Sequence, residues 1–345
     1  MRVFSKAFLT TNRKQGSSDF CQRMSEDLLV QLKQISIQIN RYFSLGLLLF
    51  GATGNLLNCL IFSQRKLRSN PCVLYFLIAS VSNLISILSG LPSRMLRDWN
   101  ILPDLTETNP RLCQFRLFIL FSSRTIASWL LLCATIDRYL VSSTKIYLRR
   151  MSHFKQAIRW ILLVCFIFPI FWSETFYCFD ANLSNTPLKC YAKSKICRTT
   201  NDLAQAFITT IIPSFIMLIF GLNTITNIHR SQLINRFSFV KTPLTGTTNK
   251  YRKLDTSLTR MLFLQIILLT IFNIPQVVQK LYITTTFDQS KSAMQRTWER
   301  FLFGISVLLT YIPGCLPFYI YTFTGRIFRQ TLFQLCRRLI PREIS

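Results

Sequence analysis

Seven stretches of mainly apolar residues follow one another along this chain, and they constrain its fold more than any other feature. They cover roughly residues 42–63, 72–95, 113–141, 157–174, 204–228, 258–283 and 301–323. Crossing the hydrocarbon layer of a bilayer takes about 20 such residues as a helix. Lipid offers the backbone no hydrogen-bond partners, so apolar runs of this length fold as helices. The connections are short and leave no room for a second folded domain. No internal repeat is visible, nor the paired broken helices of many transporters. The expected fold class is an all-α membrane protein, a seven-transmembrane helix bundle.

Composition agrees. Half of the 345 residues are hydrophobic, 30 are Phe, and only 16% are charged, against about a quarter in soluble domains. This excludes a disordered chain and argues against a soluble enzyme. Lys and Arg outnumber Asp and Glu by 41 to 14. Nucleic acid is not the implied partner, because the bases fall between apolar runs, as they do in cytoplasmic membrane loops. The 11 Cys show no paired CxxC spacing, and the two His, His153 and His229, lie near run ends. No nucleophile–base set, metal-ligand cluster or phosphate loop stands out, so no enzyme activity, metal or cofactor is expected.

An odd number of spans puts the termini on opposite sides. With the N-terminus outside, the inner connections carry sixteen Lys and Arg and the outer ones ten, the asymmetry expected of an N-out topology. The C-tail adds Arg326, Arg329, Arg337, Arg338 and Arg342 to the inner side. The expected division is an extracellular tail over 1–41, the transmembrane bundle over 42–324, and a cytoplasmic helix and tail over 325–345. The tail over 1–41 is not a signal peptide, for no suitable apolar run follows its bases. Its seven bases nonetheless disfavour an outer location; translation from Met24 would leave Lys33 and Arg41 against Glu26 and Asp27. The sequon Asn182-Leu183-Ser184 falls on the expected outer side, which makes Asn182 a candidate glycosylation site.

Charges within the spans carry the functional signal, because an ionisable residue at membrane depth is costly and usually has a purpose. Asp137-Arg138-Tyr139 closes the third run at its inner end. The plain alternative is a charged helix end snorkelling to the interface. The same run contains Arg116 and Arg124. Fourteen residues separate Arg124 from Arg138, about 1400° of helix and roughly 40° short of whole turns, so both point to a similar face. Leu120 lines that face one turn above, and Arg116 tops it. Arg94 and Lys280 lie at comparable outer depth, and Gln276 and Gln279 flank Lys280. Together these residues imply a cationic pocket for an acidic ligand group. The alternatives are internal pairing with Glu174 or Asp180 and snorkelling of Arg116 to the outer headgroups.

Over about residues 42–338 the chain resembles the rhodopsin-like (class A) G-protein-coupled receptors. The resemblance rests on Asp137-Arg138-Tyr139, Gly54-Asn55 in the first span, Trp160 in the fourth, Pro213 in the fifth and Pro275 in the sixth. Cys113, 25 residues before Arg138, stands where the family has its outer-end cysteine. Tyr321 and the following Phe323-Thr-Gly-Arg-Ile-Phe328-Arg329 are similar to the family's turn into a short amphipathic eighth helix. Phe328, Leu332 and Leu335 recur there at helical spacing with Arg between, which suits a helix lying in the inner interface.

What the resemblance implies is a multi-pass plasma-membrane receptor, its N-terminus extracellular and its C-terminus cytoplasmic. It would bind an extracellular ligand and activate a cytosolic heterotrimeric G protein, with membrane lipid around it. Asp137, Arg138, Tyr139 and Tyr321 would form the switch. Asp255, twenty residues before Pro275, stands where the family often has an acid that clamps the third-helix Arg at rest. Cys113 is expected to pair with Cys190; Cys178 or Cys197 could take that place, and the remaining two could pair with each other. Cys133 and Cys165 read as small core residues, and Cys336 as a palmitoylation candidate. Leu120 stands where amine receptors carry Asp, and residues 301–323 hold no Lys for a retinal Schiff base. A peptide of the neuropeptide class, or another ligand with an acidic group, is the remaining expectation.

The departures from the family are Asn83 for the usual Asp, Asn273 for Trp, Gly221 for Tyr, and Pro317-Phe318 with the proline one residue early. They imply altered activation switches and no carboxylate for a sodium ion. A non-signalling decoy or scaffold receptor and a membrane transporter are the alternative readings.

Overall fold

The fold comes from a computed structural model. It describes the backbone of residues 2–64, 67, 70–99, 108–183, 189–237, 246–286, 289–324 and 326–339. Side chains are described for these apart from 2–26, 97, 231–237, 246–257, 324, 326–327, 335–336 and 338–339. The apolar runs are helices: α1 Arg2–Phe62, α2 Pro71–Trp99, α3 Pro110–Ser142 and α4 Phe154–Trp172. Helix α5 runs from Lys195–Ala204 through a π-helical segment, Gln205–Ile211, into Ile212–Phe237. Helix α6 is Gly246–Thr285. Helix α7 is Ala293–Leu309 continued by Ile312–Cys315 and Pro317–Thr324, and α8 is Arg326–Leu339.

Six of these are long and apolar enough to cross a membrane, and the bent pair Ala293–Cys315 and Pro317–Phe323 makes a seventh span. In the first and seventh spans the helix runs beyond the apolar stretch. Helix α1 begins well before residue 42, and its stretch from Asp27 to Phe62 alone is 36 residues long. At 1.5 Å per residue that is about 54 Å, well beyond the hydrocarbon thickness of about 30 Å, so its first turns project past the lipid. Lys33 and Arg41 lower the hydropathy there and mask the helix in the sequence. The seventh span bends by 44° before Pro317, whose ring removes an amide donor and clashes with the preceding turn.

Local chemistry sets the outer ends. The Asn109 side chain caps α3 by accepting from the amides of Arg111 and Leu112, with Pro110 at the first helical position. Ser194 and Ser292 cap the starts of α5 and α7 by accepting from the amides of Cys197 and Gln295. The π-helical segment lies just before Pro213. Two of its carbonyls accept from α3: Ile208 from Trp129 Nε1 and Thr209 from Ser128 Oγ, both at 2.9 Å. The segment thus becomes a polar seam between α3 and α5.

Around an apolar core, several polar residues are turned inward while many large apolar ones face outward, as lipid allows. Asn55, Asn58, Ser80 and Ser82 are buried, while Leu49, Phe50, Leu56 and Leu60 are exposed. Asn55 Nδ2 donates to the carbonyls of Gly51 at 2.8 Å and Gly314 at 2.9 Å, stitching α1 to α7. Trp160 faces outward, whereas Trp172 is fully buried. At the inner end Phe62, Phe76, Tyr321 and Phe328 interlock, with ring centroids 5.2–5.8 Å apart. This cluster seats α8 under the bundle, so Phe328 and Leu332 pack on protein; the side chain of Leu335 lies outside the described residues.

Across the outer mouth lies a two-stranded antiparallel hairpin, β1 Phe179–Asp180 and β2 Tyr191–Ala192, pairing Phe179 with Ala192 and Asp180 with Tyr191. Two disulfides anchor it: Cys113–Cys190 to α3, and Cys178–Cys197 to the start of α5. The expected Cys113 partner is therefore Cys190, and the remaining two outer cysteines pair with each other.

Candidate functional site

The outer half of the bundle encloses a cavity with two connected chambers. Both chambers are partly open to solvent, with about 880 Å³ of non-atom space in and around the deep one and about 670 Å³ in and around the upper one, open solvent included. Phe121, Arg124, Gln205, Gln276, Lys280 and Tyr311 line both. The upper chamber reaches the hairpin through Tyr191 and Ala192.

Charge distinguishes the upper chamber. Arg94, Arg116, Arg124, Arg198 and Lys280 line it, and Asp202 is the one carboxylate among its described lining residues. Asp202 is buried on α5 and joins that helix to α6 with both oxygens. Oδ1 lies 2.9 Å from Lys280 Nζ, and Oδ2 accepts from the Thr284 hydroxyl at 2.9 Å. Lys280 also donates to Gln205 Oε1 at 2.5 Å. Lys280 and Thr284 are one helical turn apart on α6, and Asp202 and Gln205 are one turn apart on α5, so each pair shares a face. These four side chains form a clamp between the two helices.

Arg124 is held differently. Its Nε donates to Ser86 Oγ at 3.3 Å, and its guanidinium carbon lies 4.0 Å from the Tyr311 ring centroid. Gly90 lets Tyr311 come close, since a methyl group there would overlap the phenol. Arg116 donates to the Ser93 hydroxyl. Arg198 stacks over Tyr191 at 4.8 Å. The Tyr191 hydroxyl is buried and has no hydrogen-bond partner among the described residues. Burial pushes its phenol above the usual range, Asp202 acts in the same direction, and Arg198 opposes.

Of the residues singled out from sequence, Arg94, Arg116, Leu120, Arg124, Gln276 and Lys280 meet around this cavity. Gln276 accepts from the Ser306 hydroxyl at 2.7 Å. Gln279 does not join them: it is absent from both linings, and its amide donates to the Glu299 carbonyl on α7 at 3.3 Å. A single step of about 100° along α6 turns it away from the face of Lys280. The internal acid for Lys280 is Asp202, not Glu174 or Asp180. The floor of the deep chamber carries Asn83, Gln265 and Asn273. No group of three or more His, Cys, Asp or Glu side chains placed to hold a metal exists among the described residues, and Asn83 brings a neutral amide, not a carboxylate, to this floor.

A polar path leads inward. Tyr321 donates to Gln265 Oε1 at 2.6 Å, linking the chamber floor to the inner aromatic cluster. At the inner end Arg138 Nη2 pairs with Asp137 Oδ2 at 2.6 Å and lies 3.4 Å from Asn70 Oδ1. The Ser152 hydroxyl donates to Asp137 Oδ1 at 2.5 Å. Tyr139 turns instead to α5, its ring edge-to-face with Phe220 at 5.1 Å. The side chains of Asp255 and Cys336 lie outside the described residues. Asn182 is exposed in the left-handed region at φ 60°, and its Nδ2 donates to the Thr108 carbonyl at 3.1 Å.

A seven-helix bundle with a cavity at one end and a buried Asp137–Arg138 ion pair at the other can be compared with known proteins. The family model described as 7 transmembrane receptor (rhodopsin family) matches residues 54–331. The chain belongs to this family. No curated protein matches it significantly. Members of the rhodopsin family are signalling receptors, not enzymes, and multi-pass plasma-membrane proteins; the apolar helices agree with a multi-pass membrane protein.

In this rhodopsin-family receptor, sequence reading passed over Asp202, Gln205, Thr284, Arg198 and Tyr191. Asp202 left a trace, as an acid at the outer end of the fifth span facing the sixth span's Lys280. The hairpin that brings Tyr191 to the cavity has no periodicity to announce it.

Proposed function

We propose that this receptor binds an extracellular peptide through an acidic group and activates a cytosolic heterotrimeric G protein. The single observation that carries the ligand class is the upper chamber's lining, with five cationic side chains and one carboxylate among its described residues. Burial in a weakly polarisable cage strengthens charge-assisted hydrogen bonds to an anion. The volume and mixed polar–aromatic lining suit a peptide terminus, with Tyr191, Tyr311 and Phe121 offering ring faces. Within the family this is a ligand of the neuropeptide class.

The proposed topology puts 1–41 outside, the receptor domain over 42–324 in the lipid, and α8 with the C-tail over 325–345 in the cytosol. A ligand carboxylate arriving at Lys280 competes with Asp202 and loosens α6 from α5. Outward movement of α6 then opens the inner cleft where Arg138 sits, a shift between two pre-existing states. Asp255 is proposed as the α6 acid that holds Arg138 at rest, Asn182 as a glycan site, and Cys336 as a lipid anchor.

A peptide-library screen on cells carrying the receptor and a promiscuous G-protein reporter tests this reading. Active peptides should carry a carboxylate whose amidation lowers potency at least tenfold. Potency that survives amidation in every active peptide would reject the acidic-group recognition. A C-terminal epitope stained on intact cells would reject the topology.

A further inference from the structure

We infer that Ser152 is a phosphorylation site for a basophilic serine/threonine kinase, and that its phosphate acts directly on the Asp137–Arg138 pair. The inference rests on the proposed topology, which puts this end of the bundle in the cytosol with ATP and kinases. Two independent observations meet at this residue.

The first is the sequence Arg149-Arg150-Met151-Ser152-His153. Arginines two and three residues before a serine offer the paired cations that acidic kinase clefts recognise. Arg149 and Arg150 are both exposed, and Ser152 is half-exposed. A kinase reads its substrate in extended form, so the preceding helical turn must open. That turn, Ile146–Met151, is six residues long and buries none of its side chains. Helices so short are marginal without packing, and opening this one exposes no core. The backbone beyond it is already extended at His153, with φ −122° and ψ 147°.

The second is the position of the hydroxyl. Ser152 Oγ donates to Asp137 Oδ1 at 2.5 Å, while Asp137 Oδ2 holds Arg138 at 2.6 Å. The loop serine is therefore a direct ligand of the switch carboxylate. In the transfer, Ser152 Oγ attacks the γ-phosphorus of ATP. The new O–P bond forms as the bond to the β,γ-bridging oxygen breaks, ADP leaves, and the hydroxyl proton passes to the kinase base. The product oxygen has no proton to give to Asp137. It brings a charge of about −1.5 to −2 against that carboxylate. The same phosphate offers Arg138 a stronger, bidentate partner than Asp137. Drawn to the loop, Arg138 no longer swings into the inner cleft, and coupling falls.

The test treats inside-out membrane vesicles carrying the full receptor with cAMP-dependent protein kinase catalytic subunit and ATP, then maps phosphate by peptide mass spectrometry. Ser152 should carry phosphate, and labelling should fall at least tenfold in R149A/R150A. Absence of phosphate on Ser152 in vesicles that expose a C-terminal epitope overturns the proposal while the topology stands. An epitope found on the opposite face overturns the topology instead. Two readouts test the consequence. Basal nucleotide exchange on added G protein should fall several-fold on phosphorylation of the wild type and stay constant in S152A. Thermal melting of the detergent-purified receptor, which needs neither ligand nor G protein, should shift by about 2 °C or more on phosphorylation as Arg138 exchanges partners, again not in S152A. A phosphorylated receptor with unchanged melting overturns the switch role.

Discussion

Replacing Asp202 with Asn tests the clamp between α5 and α6 most directly. Asp202 and Lys280 have side chains only 4% and 8% exposed, and their charges lie 2.9 Å apart. Asn keeps the size of the side chain and an oxygen for the Thr284 hydroxyl. What it removes is the charge opposite Lys280, which keeps its hydrogen bond to Gln205 in the clamp. Removing one member of a buried pair costs about 3–5 kcal/mol, chiefly because the other charge stays buried without compensation. Asp202→Asn should therefore lower thermal stability of the purified receptor strongly. Adding Lys280→Met, which fits the same channel without charge, should recover most of the loss. The same cycle reads function: Asp202→Asn, by releasing α6, should raise basal nucleotide exchange. Equal melting of Asp202→Asn and wild type would refute the argument, as would a double variant no more stable than the single one.

Arg124→Gln should lower potency of an acidic peptide by about 10- to 100-fold, the scale of a lost hydrogen bond to a charged group; a dose–response series checks this. Cys178→Ser with Cys197→Ser opens a loop whose ends are 19 residues apart. Loop entropy predicts a loss of about 3 kcal/mol, read as a lower melting temperature that reducing agent no longer changes at this bridge. Tyr321→Phe leaves Gln265 Oε1 without its 2.6 Å donor and should cost about 1–3 kcal/mol, measured by melting, with a matching change in basal exchange.

Much of the architecture was readable because it is local. Twenty apolar residues in a row are a helix in lipid whatever their neighbours do, so seven spans and their approximate ends followed from the residues alone. The placement of Arg124 over Arg138 on one face was equally local, since a helix repeats every 3.6 residues. Gln279 shows the limit of that reasoning. Sequence proximity to Lys280 put it in the pocket, but its angle on α6 sends it to the Glu299 carbonyl. The extent of α1 was less legible: scattered charges at Lys33 and Arg41 look like a tail, yet the helix continues through them.

By itself the sequence determined that the chain lies in a membrane, how many times it crosses, and which face of α3 carries its cations. Those facts depend on hydropathy and helical phase, which act over neighbouring turns. Tertiary structure decided which acid answers Lys280, how the four outer cysteines divide, and that Ser152 reaches Asp137. Each of these joins groups separated by 15 to 78 residues along the chain. No local pattern encodes such a meeting; it exists only once the helices have packed and the outer hairpin has been pinned across the mouth.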